Sequence, residues 1–181
     1  MQITETILKG CFILQSRIFE DQRGIFYESY HKKTFEQAIG KPVDFVQDNV
    51  SVSKKGVLRG FHFQTGAFAQ SKMIRVVDGK ILDVVVDLRE ESETFGAHLK
   101  LELSASTNKA IFIPKGMAHG FLTISDKAVF SYKCDAYYNS ASESGIIYND
   151  KTLNVDWEYP MNEIILSEKD EQLPTFKELY Q

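Results

Sequence analysis

"KMIRVVDGKILDVVVDL", residues 72–88, carries the strongest fold signal in the chain. Two runs rich in β-branched and aliphatic residues, 72–77 and 80–88, flank Asp78-Gly79. That dipeptide readily takes the positive φ angles of a tight two-residue turn, so the stretch predicts a β-hairpin. Downstream, "HLKLELS" (98–104) alternates apolar and polar residues, and "KAIFIP" (109–114), "GFLTIS" (120–125) and "AVFSYKCDAYY" (128–138) extend the series. Upstream, "GVLRGFHFQ" (56–64) reads as another strand. Many short strands joined by close turns indicate a sandwich or barrel rather than βαβ units. Helix is confined to "KKTFEQAIG" (32–40), closed by Gly40, and to turns in "LSEKDEQLPTFKELY" (166–180), interrupted or restarted at Pro174. The expectation is an all-β, jelly-roll-like single domain over residues 1–181.

Composition narrows the function classes. A chain of 181 residues fits one domain with a substantial core, and 13 Phe and 8 Tyr point to an aromatic-rich core or pocket. The formal charge of -4 and the absence of any Lys/Arg run argue against a nucleic-acid or membrane surface. An anion would then be held by a few placed cations, and the partner is a small molecule. The start "MQITETILKGCFILQS" is broken by Glu5 and Lys9 and does not read as a signal peptide, and no apolar run reaches membrane-spanning length. Cys11 and Cys134 lie far apart, outside any CxxC pattern, which predicts a cytoplasmic protein with two unpaired thiols.

Within "GVLRGFHFQ", strand parity puts Leu58, Gly60, His62 and Gln64 on one side and Val57, Arg59, Phe61 and Phe63 on the other. Each face therefore carries a polar group in need of a partner. His62 suits a general base near neutral pH once a neighbour fixes its tautomer; it equally suits a half-buried histidine bonded to a backbone carbonyl. Ser167 and Asp170 of "LSEKD" match a helix capping box, and Asp170 becomes a partner for a base only if the tail folds back over the barrel. Tyr132 is either a core aromatic or a pocket proton donor. Arg23, Arg59 and Lys72 lie before or within strands, where two or three cations in one pocket would suit a diphosphate. "IPKGMAHGF" (113–121) fits half of a cupin metal pattern through Pro114, Gly116 and His119. The other half is absent, since His62 is followed by Phe63 and Gln64, so a catalytic metal is not expected.

Taken in order, "GVLRGFHFQ", "KMIRVVDGKILDVVVDLR", "IPKGMAHGFL", "YKCDAYY", "ESGIIYND" and "LSEKD" resemble the dTDP-4-dehydrorhamnose 3,5-epimerase family, from about residue 23 to residue 174. The resemblance implies a cupin-type double-stranded β-helix, or jelly roll, with short helical additions at the C-terminus and near residues 32–40. It implies no metal and no cofactor, a homodimer with an exchanged strand, and dTDP-4-dehydro-6-deoxyglucose as the nucleotide-sugar substrate. By the same resemblance His62 is the base, Asp170 orients it, Tyr132 is the acid on the other face, and Lys72 stabilises the developing charge at the C4 oxygen. Arg23, Phe26, Glu28, Gln47, Asn49, Arg59, His119, Glu143 and Lys169 match substrate-binding positions, and Tyr138 matches the residue that stacks on thymine. Met117, and "GFHFQ" in place of the commoner "GLHYQ", are apolar-for-apolar departures that touch pocket shape. The alternatives are a single-centre epimerase, a ketoisomerase of the same sugar, and a catalytically silent sugar-binding cupin. Parity leaves open whether Arg59 and His62 serve one pocket: a bulge at Gly60 would bring them together, and an intersubunit contact would use the second face.

Overall fold

The structure, a computed structural model, describes residues 1–180. Its N-terminal third contains β1 (Gln2–Glu5), β2 (Phe12–Gln15), β3 (Ile18–Asp21), β4 (Gly24–Tyr27), α1 (Lys32–Ile39) and β5 (Gln47–Lys54). The centre contains β6 (Leu58–Gln64), β7 (Lys72–Asp78), β8 (Lys80–Asp87), β9 (His98–Ser104) and β10 (Lys109–Ile113). β11 (Met117–Thr123), β12 (Lys127–Cys134), β13 (Glu143–Gly145), α2 (Glu168–Glu171) and α3 (Phe176–Tyr180) complete the chain. A six-stranded sheet in the order β1-β2-β10-β7-β12-β5 faces a five-stranded sheet in the order β13-β6-β11-β8-β9, and β3 and β4 form a separate hairpin. This is the jelly-roll architecture expected of the sequence.

The predicted hairpin at residues 72–88 is corrected in one respect. β7 pairs with β10 and β12, β8 pairs with β9 and β11, and the two strands belong to different sheets. Asp78-Gly79 makes the reversal, with Gly79 at φ 79°, yet the reversal serves as a corner between sheets. Turn chemistry specifies a change of direction, and the pairing of the strands is decided by burial. Every residue of β8 except Lys80 is buried. Ile81 and Val85 enter the cluster between the sheets, with Ile74, Ile111, Phe121 and Phe130. Leu82, Val84 and Val86 enter a second cluster under the C-terminal segment, with Leu58, Trp157 and Phe176. A strand covered on both faces reads as a continuous apolar run, which explains "ILDVVVDL".

A third cluster packs Phe35 of α1 on Leu14, Met73 and Phe112 of the six-stranded sheet. α1 ends as its sequence predicts: Gly40 is left-handed at φ 73° and its N–H returns to the Glu36 carbonyl at 3.0 Å. Other boundaries moved. β11 starts at Met117, directly after the turn at Gly116. β12 stops at Cys134 because the Asp135 carboxylate is held by Ser71 N and Oγ at 2.7 and 2.6 Å. Strands β1 to β5 lacked a clear sequence signal, being short or polar on their inner side. Cys11 and Cys134 are free and buried. Among the described residues no helix is long and apolar enough to cross a membrane.

Candidate active site

β6 resolves the parity problem. Opposite β11, His119 faces His62 while Phe121 faces Arg59, so three steps along β6 span two along β11. The extra residue is a bulge, and it turns Arg59 and His62 into one cavity of about 470 Å³ between the sheets. Gly60 sits in it at φ 124°, and its peptide bond to Phe61 is cis. A Cβ at this position would collide with Gly120 Cα and would stand 2.7 Å from the His119 carbonyl oxygen. The close passage of two backbones is what requires glycine there.

The C-terminal tail folds back over the barrel. Ser167 caps α2 by accepting from Asp170 N at 3.2 Å, as half of a capping box would. The reciprocal half is absent, because the Asp170 carboxylate accepts instead from His62 Nε2 at 2.6 Å. The Asp170 side chain is 5% exposed and that of His62 28%, so the pair is screened from water on one side and open to the cavity on the other. Burial is the strongest single influence and works to raise the Asp170 carboxyl, but the hydrogen bond and charge of His62, with hydrogen bonds from Ser167 and the Gly60 backbone, together outweigh it and hold the group below its ordinary value. An ionised Asp170 fixes the N–H on His62 Nε2 and leaves Nδ1 as the nitrogen able to take a proton.

The other wall comes from the six-stranded sheet. Tyr132 of β12, Lys72 of β7, and Asn49 and Ser51 of β5 line the cavity opposite His62. Register puts Tyr132 beside Asn49 and Lys72 beside Cys134. Burial pushes the Lys72 ammonium down and the Tyr132 phenol up. Cys134 is likewise pushed up by burial, to about 11, so it stays a thiol at neutral pH. On the His62 side, His119 donates from Nε2 to the fully buried Asp83 at 2.7 Å and stacks on Phe130 with an interplanar angle of 7°.

The remaining predicted residues divide into two groups. Gln47, Tyr138, Glu143 and Lys169 form a chain along the rim. Tyr138 N donates to Gln47 Oε1 at 3.0 Å, Tyr138 OH to Glu143 Oε2 at 2.7 Å, and Lys169 pairs with the same carboxylate at 2.5 Å. Arg23, Phe26 and Glu28 are not brought to this cavity. They lie on or beside the β3–β4 hairpin at separate surface hollows, and Arg23 is exposed and paired with Asp21. Sequence reasoning missed Asp83, Ser51 and Ser53. The carboxylate of Asp83 inside "ILDVVVDL" was the available signal, since a buried charge requires a partner. Among the described residues no three His, Cys, Asp or Glu side chains are grouped to hold a metal ion.

The profile of the family described as dTDP-4-dehydrorhamnose 3,5-epimerase matches residues 5–178. The dTDP-4-dehydrorhamnose 3,5-epimerase of Escherichia coli (strain K12) is 47% identical over 179 residues, covering 99% of this chain and 96% of the relative. The crystal structure of the enzyme of that name from Elizabethkingia anophelis NUHP1 superposes with a TM-score of 0.95 at 49% identity, covering 98% of this chain and 97% of that one. A dTDP-6-deoxy-D-glucose-3,5-epimerase from Legionella pneumophila Philadelphia 1, solved in complex with dTDP-4-keto-L-rhamnose, superposes with a TM-score of 0.93 at 41% identity, covering 97% and 93%.

Proposed function

The chain belongs to the dTDP-4-dehydrorhamnose 3,5-epimerase family, a family of isomerases, and from that premise we propose how its cavity performs the reaction. The substrate is dTDP-4-dehydro-6-deoxy-D-glucose, and both C3 and C5 flank its C4 ketone. Removing a proton from either carbon gives an enolate, and reprotonation from the opposite face inverts that centre to give dTDP-4-dehydro-L-rhamnose.

The observation that carries this reading is that base and acid stand on opposite walls of one cavity: His62 on the five-stranded sheet, Tyr132 on the six-stranded sheet. His62, held in one tautomer by Asp170, takes the proton at Nδ1. Tyr132 returns a proton from the far side, and its raised pKa keeps the hydroxyl protonated until it is needed. Lys72, on the Tyr132 wall, places its ammonium where the C4 oxygen gains negative charge. Arg59 and His119 take the diphosphate and sugar, Tyr138 stacks on thymine, and Gln47, Asn49, Glu143 and Lys169 position the nucleotide.

Residues 1–181 act as one jelly-roll domain in the cytoplasm, and the protein works as a homodimer. Exposed apolar residues on the β3–β4 hairpin support the dimer: Phe19 is 50% exposed, Ile25 54% and Phe26 71%. Arg23, Phe26 and Glu28 then serve the partner's cavity. The test is proton NMR of the substrate with chelator-treated protein in deuterated water, followed by trapping with the next reductase. Deuterium at both C3 and C5, with dTDP-rhamnose as the trapped product, is expected. Exchange at one carbon makes the protein a single-centre epimerase, and exchange at neither overturns the reading.

A further inference from the structure

β5 has its polarity reversed. In "QDNVSVSK" the row facing the barrel is Gln47, Asn49, Ser51 and Ser53, while the outer row carries Val50 and Val52, 68% and 61% exposed. A strand that faces a core with polar residues is arranged for a ligand, since each hydroxyl there must find a partner. Gln47 accepts from Tyr138 N and donates from Nε2 to Asn49 Oδ1 at 3.0 Å. Ser53 has its partner in Arg59, and Ser51 has its own in Ser53.

Arg59 Nε donates to Ser53 Oγ at 3.2 Å, across the gap between the sheets, and Ser53 Oγ lies 3.2 Å from Ser51 Oγ. Ser53 is 3% exposed. Its oxygen accepts from Arg59, and its own proton has one acceptor within reach, Ser51 Oγ. If Ser51 donated instead, the proton of Ser53 would be buried without an acceptor. The relay therefore runs Arg59 Nε–H to Ser53, Ser53 O–H to Ser51, and it leaves the proton of Ser51 free to point into the cavity that Ser51 lines. It also leaves both terminal nitrogens of Arg59 uncommitted, because its protein contact uses Nε. The uncommitted hydrogens of this cluster, on Ser51 and on the terminal nitrogens of Arg59, belong to two residues that line the cavity.

We propose that Arg59, Ser53 and Ser51 form a cradle for phosphoryl oxygens, in which Ser51 donates directly to the diphosphate of the substrate and Ser53 positions Arg59. This rests on the reading of Arg59 as a diphosphate contact. A guanidinium clamped at Nε presents its two terminal nitrogens in a fixed plane, the geometry that pairs two oxygens of a phosphate. A hydroxyl polarised through a chain from a cation is a stronger donor than an isolated one.

The experiment is calorimetric binding of dTDP, inorganic pyrophosphate and thymidine to Ser51→Ala, Ser53→Ala, Ser53→Thr and Arg59→Ala, beside steady-state kinetics. A lost hydrogen bond to a charged group predicts weakening of dTDP and pyrophosphate by about 10-fold or more for Ser51→Ala. Ser53→Ala should weaken both by about 5-fold, with Ser53→Thr restoring the affinity because it keeps the hydroxyl. Thymidine binding should stay within about 2-fold in every variant, and KM should rise while kcat holds, since the diphosphate is remote from the reacting carbons. Equal loss of thymidine binding in the serine variants would mean a structural role and overturn the proposal. So would unchanged dTDP binding in Ser51→Ala. If Arg59→Ala itself binds dTDP and pyrophosphate normally, the reading of Arg59 has failed; if Arg59→Ala loses them and both serine variants do not, the cradle alone has failed.

Discussion

Burial acts with opposite sign on the two proton-handling groups of the Tyr132 wall. A buried ammonium is destabilised relative to the amine, so the Lys72 pKa falls below its ordinary 10.5; a buried phenolate is destabilised relative to the phenol, so that of Tyr132 rises above 10.0. An alkaline limb in the rate of proton exchange is expected from Lys72, whose charge the C4 oxygen needs during abstraction, whereas Tyr132 acts only on reprotonation. In Lys72→Met the rate of deuterium incorporation should fall and that limb should vanish; a limb that persists would assign it elsewhere. Tyr132→Phe separates acid from base. On the proposed roles, abstraction by His62 should survive, so exchange into the substrate should continue while net inversion drops on the order of 100-fold. His62→Ala should lose both by about 100-fold or more, with circular dichroism unchanged. Asp87 tests the fold by the same sign rule. Its buried carboxylate accepts from Arg89, Ser92 and Thr94, and these bonds, outweighing burial, hold its pKa well below the ordinary 3.8. The stability it contributes is present above about pH 4 and lost as pH falls below that value. In Asp87→Asn, urea unfolding midpoints should decline less steeply on acidification than in the native protein.

At the scale of elements, the site depends on two short pieces of backbone whose functions were only half legible. Strand parity found the conflict between Arg59 and His62 but could not choose its resolution, because a bulge is set by how β6 meets β11 and not by β6 alone. Gly60→Ala removes that solution. With a positive φ and two backbone neighbours unable to yield, it should cost on the order of 3 kcal/mol or more and appear as a large fall in the thermal midpoint. The capping pattern of "LSEKD" was similarly read in part. Ser167 does cap α2, but the carboxylate three residues on is directed by a contact 108 residues distant in sequence, and no local rule anticipates that. The reversal at Asp78-Gly79 was visible and its strand pairing was not, since pairing is settled by which face each neighbour covers. β5 was missed for the opposite reason: its inner row is polar because it faces a cavity, so the apolar alternation that reveals a strand on a core points outward.

Over the whole molecule, the chain leaves two surfaces that suit each other. The β3–β4 hairpin projects Phe19, Ile25 and Phe26, and β5 is an open edge of the six-stranded sheet whose own Val50 and Val52 are exposed. An unprotected edge strand with an apolar outer row is a site for pairing with another chain, and a hairpin laid along the partner's β5 would carry Arg23, Phe26 and Glu28 toward the cavity that lacks them. A two-fold dimer repeats this contact in both directions, so each site would draw on both chains. That arrangement makes a prediction no cis arrangement shares. His62→Ala and Arg23→Ala should each be nearly inactive, the first for want of a base and the second for want of a cation. If they are mixed, unfolded together and refolded, half of the dimers pair one variant with the other. In each such dimer one site takes His62 from one chain and Arg23 from its partner and is native, while the other site carries both defects. Turnover should then recover to about a quarter of the native value, by the statistics of random pairing in a two-fold dimer. If both residues act from the same chain, every site keeps one defect and mixing restores nothing. Sedimentation of Val50→Asp gives the parallel physical readout: a monomer is expected, and a dimer of undiminished stability would remove β5 from the interface.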